Sequence, residues 1–186
     1  MSTAPTRRLI LIRHAKAEQA TPGQEDVDRP LAPRGLLDAV VGGQELALVA
    51  VPDLVLCSPA RRTRQTWRTV LEGLSGELAQ PAHPEVKYPH GLYEAGVFDL
   101  VETVRKAGGQ ASVVVLVGHE PTMSEATLSL AGAGSDPDAV QHVKAGFPTA
   151  GIAVLAVERE WADLAPGDGR LEKFVVPRAD GGGSIG

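Results

Sequence analysis

Four apolar stretches with almost no polar interruption constrain this chain more than any other feature: LILI at 9–12, LVLC at 54–57, SVVVLV at 112–117 and GIAVLAV at 151–157. A strand with one wet face alternates apolar and polar residues, whereas runs like these belong to strands covered on both faces. FVV at 174–176 is a weaker run of the same kind. Between the runs the spacing turns helical. Over 33–50, Leu37, Val40, Val41 and Leu48 share one helical face, and Pro33 suits the first turn. Segment 59–73 opens with Ser58 placed as N-cap and Pro59 at the first helical position. Segment 121–131 opens at Pro121 and stops at GAG, 132–134. Strands alternating with helices predict an α/β sandwich built on a mostly parallel sheet. Segment 76–96, rich in Pro, Gly and polar residues, predicts a loop over one face, and the ends, 1–6 and 179–186, predict flexible tails.

Composition narrows the class. At 186 residues the chain is the size of one domain, 1–186, and its 43% hydrophobic content is globular. The net charge is −5 and the basic residues form no long run, which argues against nucleic-acid and membrane partners. Cys57 is the one cysteine, so no internal disulfide and no CxxC metal motif exist, which fits a reducing cytoplasm. The apolar run after Arg7–Arg8 ends at Arg13, too short for a secretion signal, and no stretch is long enough to span a membrane. The expected location is cytoplasmic.

In open α/β sheets ligands bind beyond the carboxyl ends of the strands. Three such ends carry unusual chemistry here: Arg13–His14, Ser58 onward, and Gly118–His119. In SPARRTRQTWR, 58–68, four arginines crowd the first half of a helix, where cations oppose the macrodipole. Most of them read as a solvated face. At least one makes sense as a partner of the free helical N–H groups around an anion. Two histidines and two or more arginines at one sheet edge would form a cationic pocket, and a phosphoryl group fits it best. Of the nearby nucleophiles, Ser58 is placed as a cap, Cys57 lies inside a strand, and no Walker-type loop is present. That leaves His14, whose neutral imidazole can take a phosphoryl group and surrender it to water, with no metal or other cofactor called for.

These residues carry a resemblance. RHAKAE at 13–18, DRPLAPRG at 28–35, SPARRTRQT at 58–66, LYEA at 92–95, VGHEPT at 117–122 and FPTAGIAVL at 147–155 follow the pattern of the histidine phosphatase, or phosphoglycerate-mutase-like, superfamily. They resemble most its small SixA-type phosphohistidine phosphatase branch. The resemblance spans nearly the whole chain and implies a three-layer α/β/α sandwich with a mixed sheet. It implies that His14 is the phosphorylated nucleophile and Arg13 its phosphate-clamping neighbour. It further implies that Arg62 is the second clamping arginine and His119 the second histidine on the phosphoryl group, with Arg61 and Arg64 at permissive positions. Ala15 stands where the superfamily usually has glycine, a mark of the SixA-like branch.

Superfamily members acting on esters carry an acidic proton donor in a longer insertion. The stretch from Thr66 to His119 is short here, and Glu94 is its one suggestive candidate. An alkoxide needs a proton to leave, whereas a departing imidazole needs less help, so the site leans toward phosphohistidine on a protein, such as a histidine phosphotransfer domain. A phosphatase of small phosphate esters is the alternative. A phosphate-recognising module without turnover is the third reading, though a binder has no use for the nucleophile. Lys16, Asp28 and Arg29 read equally as pocket rim or solvated loop. His83, His90 and His142 share no metal spacing and read as surface loop residues, and Trp67 and Trp161 as packing.

Overall fold

The computed structural model describes residues 6–180. Six strands form one sheet: β1 (Arg7–Arg13), β2 (Leu54–Cys57), β3 (Glu85–Lys87), β4 (Val113–Gly118), β5 (Ile152–Val157) and β6 (Gly169–Val175). Their order is β3-β2-β4-β1-β5-β6, parallel from β3 through β1, with β5 antiparallel to both its neighbours. The predicted mixed, mostly parallel sheet is therefore present.

The unalternating runs have the expected consequence: both faces of the sheet are covered. Ile10, Ile12, Val55, Val115, Val117 and Val154 pack on one side against α1 (Pro33–Ala47) and α2 (Arg61–Gly76). Leu9, Leu11, Leu56, Val114, Leu116 and Leu155 pack on the other against α3 (Val97–Ala107), α4 (Thr122–Leu130) and α5 (Pro137–Ala145). Complete burial of such side chains is worth roughly 1.5–3 kcal/mol each, the main force holding the three layers together.

Helix α1 departs from its predicted face. Leu37 and Leu48 are exposed, and the buried stripe is Gly35, Asp38, Ala39, Gly42, Gly43 and Leu46. Close approach explains it. A Cβ on Gly43 would sit 2.1 Å from the Val70 carbonyl oxygen, and one on Gly73 would sit 2.2 Å from that of Val40. α1 and α2 pack backbone against backbone, so hydrophobicity alone points to the wrong side.

Four other expectations change. Segment 76–96 holds the edge strand β3 and a 3-10 turn at His90–Tyr93 rather than loop alone; three residues among prolines is the usual form of a blunted sheet edge. α2 begins at Arg61 with Ala60 as its cap, so Ser58 is no N-cap and Pro59 lies ahead of the helix. His142 lies on α5, half-buried, not in a loop. Of the predicted tails, 1–5 and 181–186 lie outside the described residues. Ala179 and Asp180, by contrast, are tied to α1: the Ala179 N–H donates to Asp38 Oδ1 at 3.0 Å, and Asp180 pairs with Arg34 at 2.9 Å. Trp67 and Trp161 are packed, 2% and 1% exposed, as expected. No helix among the described residues is long and apolar enough to cross a membrane.

Candidate active site

The register of three strands assembles the site. β4 lies between β1 and β2, pairing Arg13 with Gly118 and Cys57 with Val117. The ladder runs one residue further on both sides: the His14 N–H donates to Gly118 O and the Ser58 N–H to Val117 O, each at 3.0 Å. His14, Ser58 and His119 thus leave the sheet side by side at its carboxyl edge. The His14 and His119 rings lie 5.3 Å apart, centroid to centroid.

Arg62 arrives from the first turn of α2. It is 7% exposed, whereas Arg61, Arg64 and Arg68 are solvent-facing. Its NH2 approaches His119 Nδ1 at 3.4 Å, and its guanidinium lies 5.9 Å from the Tyr93 ring centroid. Arg13 donates through NH1 to Phe147 O at 2.7 Å. In both arginines Nε is buried without a hydrogen-bond partner. A buried donor left unpaired costs roughly 1–3 kcal/mol, so two in one pocket favour an acceptor-rich guest.

The His14 turn is held from below. Thr66 Oγ1 accepts from the Ala15 N–H at 3.0 Å and donates to Arg62 O at 2.7 Å, linking the His14 turn and the Arg62 turn through one hydroxyl. Gln65 Oε1 accepts from the Leu31 N–H at 2.8 Å and anchors the loop between. His14 Nδ1 lies 2.8 Å from Ala15 O. A carbonyl only accepts, so Nδ1 carries the proton and Nε2 keeps its lone pair. Burial, with Arg62, Arg13 and Arg29 adding to it, pushes the His14 pKa down to about 4 against the backbone hydrogen bond. Burial, His14 and the arginines push His119 down to about 3. Both rings are neutral at pH 7.

The sign of that shift has a measurable result. In the unfolded chain both histidines titrate near 6.5. Between there and pH 4 the unfolded state binds protons that the folded state refuses, so stability falls as pH drops through this window. His14 alone should remove about 2 kcal/mol by pH 4.5, at 1.36 kcal/mol per unit. Urea midpoints at pH 7 and 4.5 check it: wild type should lose markedly more than His14→Asn, and equal losses would sink the assignment.

Three residues that the sequence did not assign to the site complete the surroundings. Asp26, in a 3-10 turn at Asp26–Asp28, receives Arg62 NH1 on its carbonyl at 2.7 Å and NH2 on Oδ2 at 2.9 Å. Tyr93 OH donates to the same Oδ2 at 2.7 Å, and its ring meets His119 edge-on at 5.6 Å. Arg29, Tyr93 and Arg62 together hold the Asp26 carboxyl far below the ordinary range. Ser58, expected as a cap, instead shares a 2.7 Å hydrogen bond with His119 Nε2. Asp26 and Tyr93 lie 36 and 31 residues from Arg62, so only the fold could reveal them.

Of the residues with two readings, Arg29 donates through Nε to Glu18 O and pairs with Asp26, on the pocket's rim. Lys16 and Asp28 are exposed. Glu94 ends the His90–Tyr93 turn, exposed, and shares with His119 a cavity of about 170 Å³; its carboxylate has no hydrogen bond or ion pair to His14, Arg13, Arg62 or His119. His83 and His90 are exposed and remote from any metal geometry: no group of three or more His, Cys, Asp or Glu is poised to hold a metal among the described residues.

A buried cationic pocket with a neutral imidazole at the carboxyl edge of such a sheet defines a phosphoryl-handling α/β protein, and comparison with known proteins agrees. The sequence model of the histidine phosphatase superfamily (branch 1) matches residues 9–86. An uncharacterized protein of Mycobacterium tuberculosis, Rv1276c, is 40% identical over 169 residues, 90% of this chain and all of the relative. A structure from Nakamurella multipartitia assigned as the phosphohistidine phosphatase SixA is 33% identical with a TM-score of 0.80, covering 95% of this chain and 99% of that one. Its counterpart from Agrobacterium tumefaciens is 32% identical with a TM-score of 0.74, covering 93% and 99%. The chain belongs to the histidine phosphatase superfamily and is a phosphohydrolase, with the phosphoglycerate-mutase-like fold of its SixA neighbours.

Proposed function

We propose that the protein removes phosphate from phosphohistidine on a protein through a phospho-His14 intermediate. The observation that carries this is the His14 ring itself: neutral, with Nδ1–H fixed on Ala15 O and Nε2 free, beside two arginines with buried unpaired donors.

In the first step Nε2 of His14 forms a bond to phosphorus while the donor's P–N bond breaks. The electron pair leaves with the departing imidazole nitrogen, which takes a proton from solvent. Arg13 and Arg62 neutralise the phosphoryl oxygens as charge moves across them. His119 joins by turning Nδ1–H toward an oxygen. The Ser58 hydroxyl permits this, since it can accept from Nε2–H or donate to a bare Nε2. Water then attacks phosphorus, the His14–phosphorus bond breaks, and phosphate leaves with the neutral imidazole restored. Among the described residues no carboxylic acid hydrogen-bonds to this constellation except Asp26, which stays ionised on Arg62. That favours a leaving group able to depart without a strong acid.

A second reading, hydrolysis of small phosphate esters, draws on Glu94, which lines the same small cavity as His119. One comparison separates the two. The protein is mixed with a phosphohistidine-bearing phosphotransfer domain and with an alkyl phosphate, and kcat/KM is measured for each. The phosphoprotein should be favoured by 100-fold or more. Faster alkyl phosphate hydrolysis that is lost in Glu94→Gln would establish the ester reading instead.

A further inference from the structure

Beside the phosphate pocket lies a second, larger depression that the chemistry above does not use. It is a groove of about 620 Å³ between the outer face of α2, the edge strand β3 with Tyr88 beyond it, and the turn carrying Val27 and Asp28. A phosphoryl group needs far less room, and this volume is of the order that takes up several side chains.

Its lining is unusual for an acidic protein. Arg61, Arg64 and Arg68 all face it, against the single lining carboxylate of Asp28. Arg61 and Arg64 have no carboxylate within ion-pair distance among the described residues, and Arg64 instead lies 5.2 Å from the centroid of the Tyr88 ring. Arg68 has only a loose contact with Glu72, at 3.8 Å and largely in solvent, which is worth little. These are the arginines whose crowding at a helix start opposes the macrodipole. Arg62 is explained by the phosphoryl site, and the others are not.

Trp67 supplies an independent observation. It lines the groove, is 2% exposed, and its indole Nε1–H is buried without a partner. The chain's other tryptophan, Trp161, is equally buried, and its Nε1–H donates to Ala111 O at 2.7 Å. The groove floor thus holds a polar group whose hydrogen bonding the chain itself leaves incomplete.

The groove and the phosphate pocket are built from the same two segments. Val27 and Asp28 follow Asp26, which holds Arg62, and Pro59 and Arg61 lie between Ser58 and Arg62. An occupant of one is therefore within a few residues' reach of the other.

We infer that this groove docks an acidic polypeptide segment of the phosphorylated substrate, its carboxylates on Arg61 and Arg64. A polypeptide can set several carboxylates along a groove of this length, and charge of this kind mainly speeds encounter and sets partner choice. The inference rests on the protein phosphohistidine reading for its biological sense, and its test does not depend on turnover.

The test uses two fluorescently labelled, unphosphorylated peptides of equal length, one carrying four Asp or Glu residues and the other Asn and Gln in their places. Binding to the full chain is followed by anisotropy from 20 to 300 mM salt. The acidic peptide should bind at least tenfold tighter at low salt. That advantage should shrink as salt rises and vanish in an Arg61→Glu, Arg64→Glu double variant, while phosphoramidate turnover stays within twofold of wild type. Equal binding of the two peptides, or an advantage that survives in the double variant, overturns the inference. Parallel loss of phosphoramidate turnover would assign these arginines to the phosphate pocket and overturn it as well. Selective peptide binding by a protein that releases no phosphate from phosphohistidine would leave the docking groove standing and remove the substrate reading.

Discussion

His14→Asn should reduce phosphate release from any phosphohistidine donor by ~10⁴-fold or more, the scale seen when a covalent nucleophile is removed. The geometry leaves no substitute. His119 Nε2 is engaged with Ser58 at 2.7 Å and its Nδ1 faces Arg62, so neither nitrogen is set up as a free base. Cys57 is fully buried in β2, and burial pushes its thiol pKa up to about 12, so no thiolate is available at neutral pH. The check is a quench experiment with labelled donor alongside steady-state release. Wild type should carry acid-labile, base-stable label and His14→Asn none. Label of equal size on the variant, or turnover within tenfold of wild type, would move the nucleophile elsewhere.

The second large effect is expected at Arg62. Arg62→Ala should lower kcat/KM by about 10²–10³-fold, comparable to loss of a preorganised donor to a developing oxyanion. Removing the guanidinium also strips Asp26 of one of its two arginine partners beside the pocket, leaving its carboxylate held by Arg29 and Tyr93. An anionic substrate would then meet repulsion where it had met a clamp. Arg62→Lys should recover little, because an ammonium cannot present a planar fork to Asp26 and a phosphoryl group together. In Arg62→Ala with Asp26→Asn, activity should rise above that of Arg62→Ala alone. If the second change has no effect, the part assigned to Asp26 repulsion is wrong. Comparable kcat/KM in wild type and Arg62→Ala would remove Arg62 from the phosphate site altogether.

Much of the fold is legible in a few short runs. LILI, LVLC, SVVVLV and GIAVLAV lack polar alternation because each is covered on both faces, and all four became strands. The pattern was weaker where the chain packs by shape rather than by hydrophobicity. α1 turns glycines inward, so Leu37 and Leu48 misdirect any reading by apolar content. β3 has three residues among prolines, too few to leave a period. The same divide runs through the site. Arg13, His14 and His119 could be placed because each directly ends or follows an apolar run, whereas Arg62 was told from Arg61, Arg64 and Arg68 only by the family resemblance. Ser58 was misplaced because a serine before a proline and a helix has every local mark of a cap, while its actual partner is 61 residues away.

By itself the sequence determined which strands are buried and which side chains follow them, since both depend on near neighbours and on the exclusion of apolar surface from water. The tertiary structure alone decided which histidine nitrogen is free, that both rings are neutral, and that Asp26 and Tyr93 close on Arg62. It also decided that Trp67 and the outer arginines of α2 face one groove. Those are matters of distance and burial between segments far apart in the chain, set only when the β1–β4–β2 register brings three strand ends to one edge.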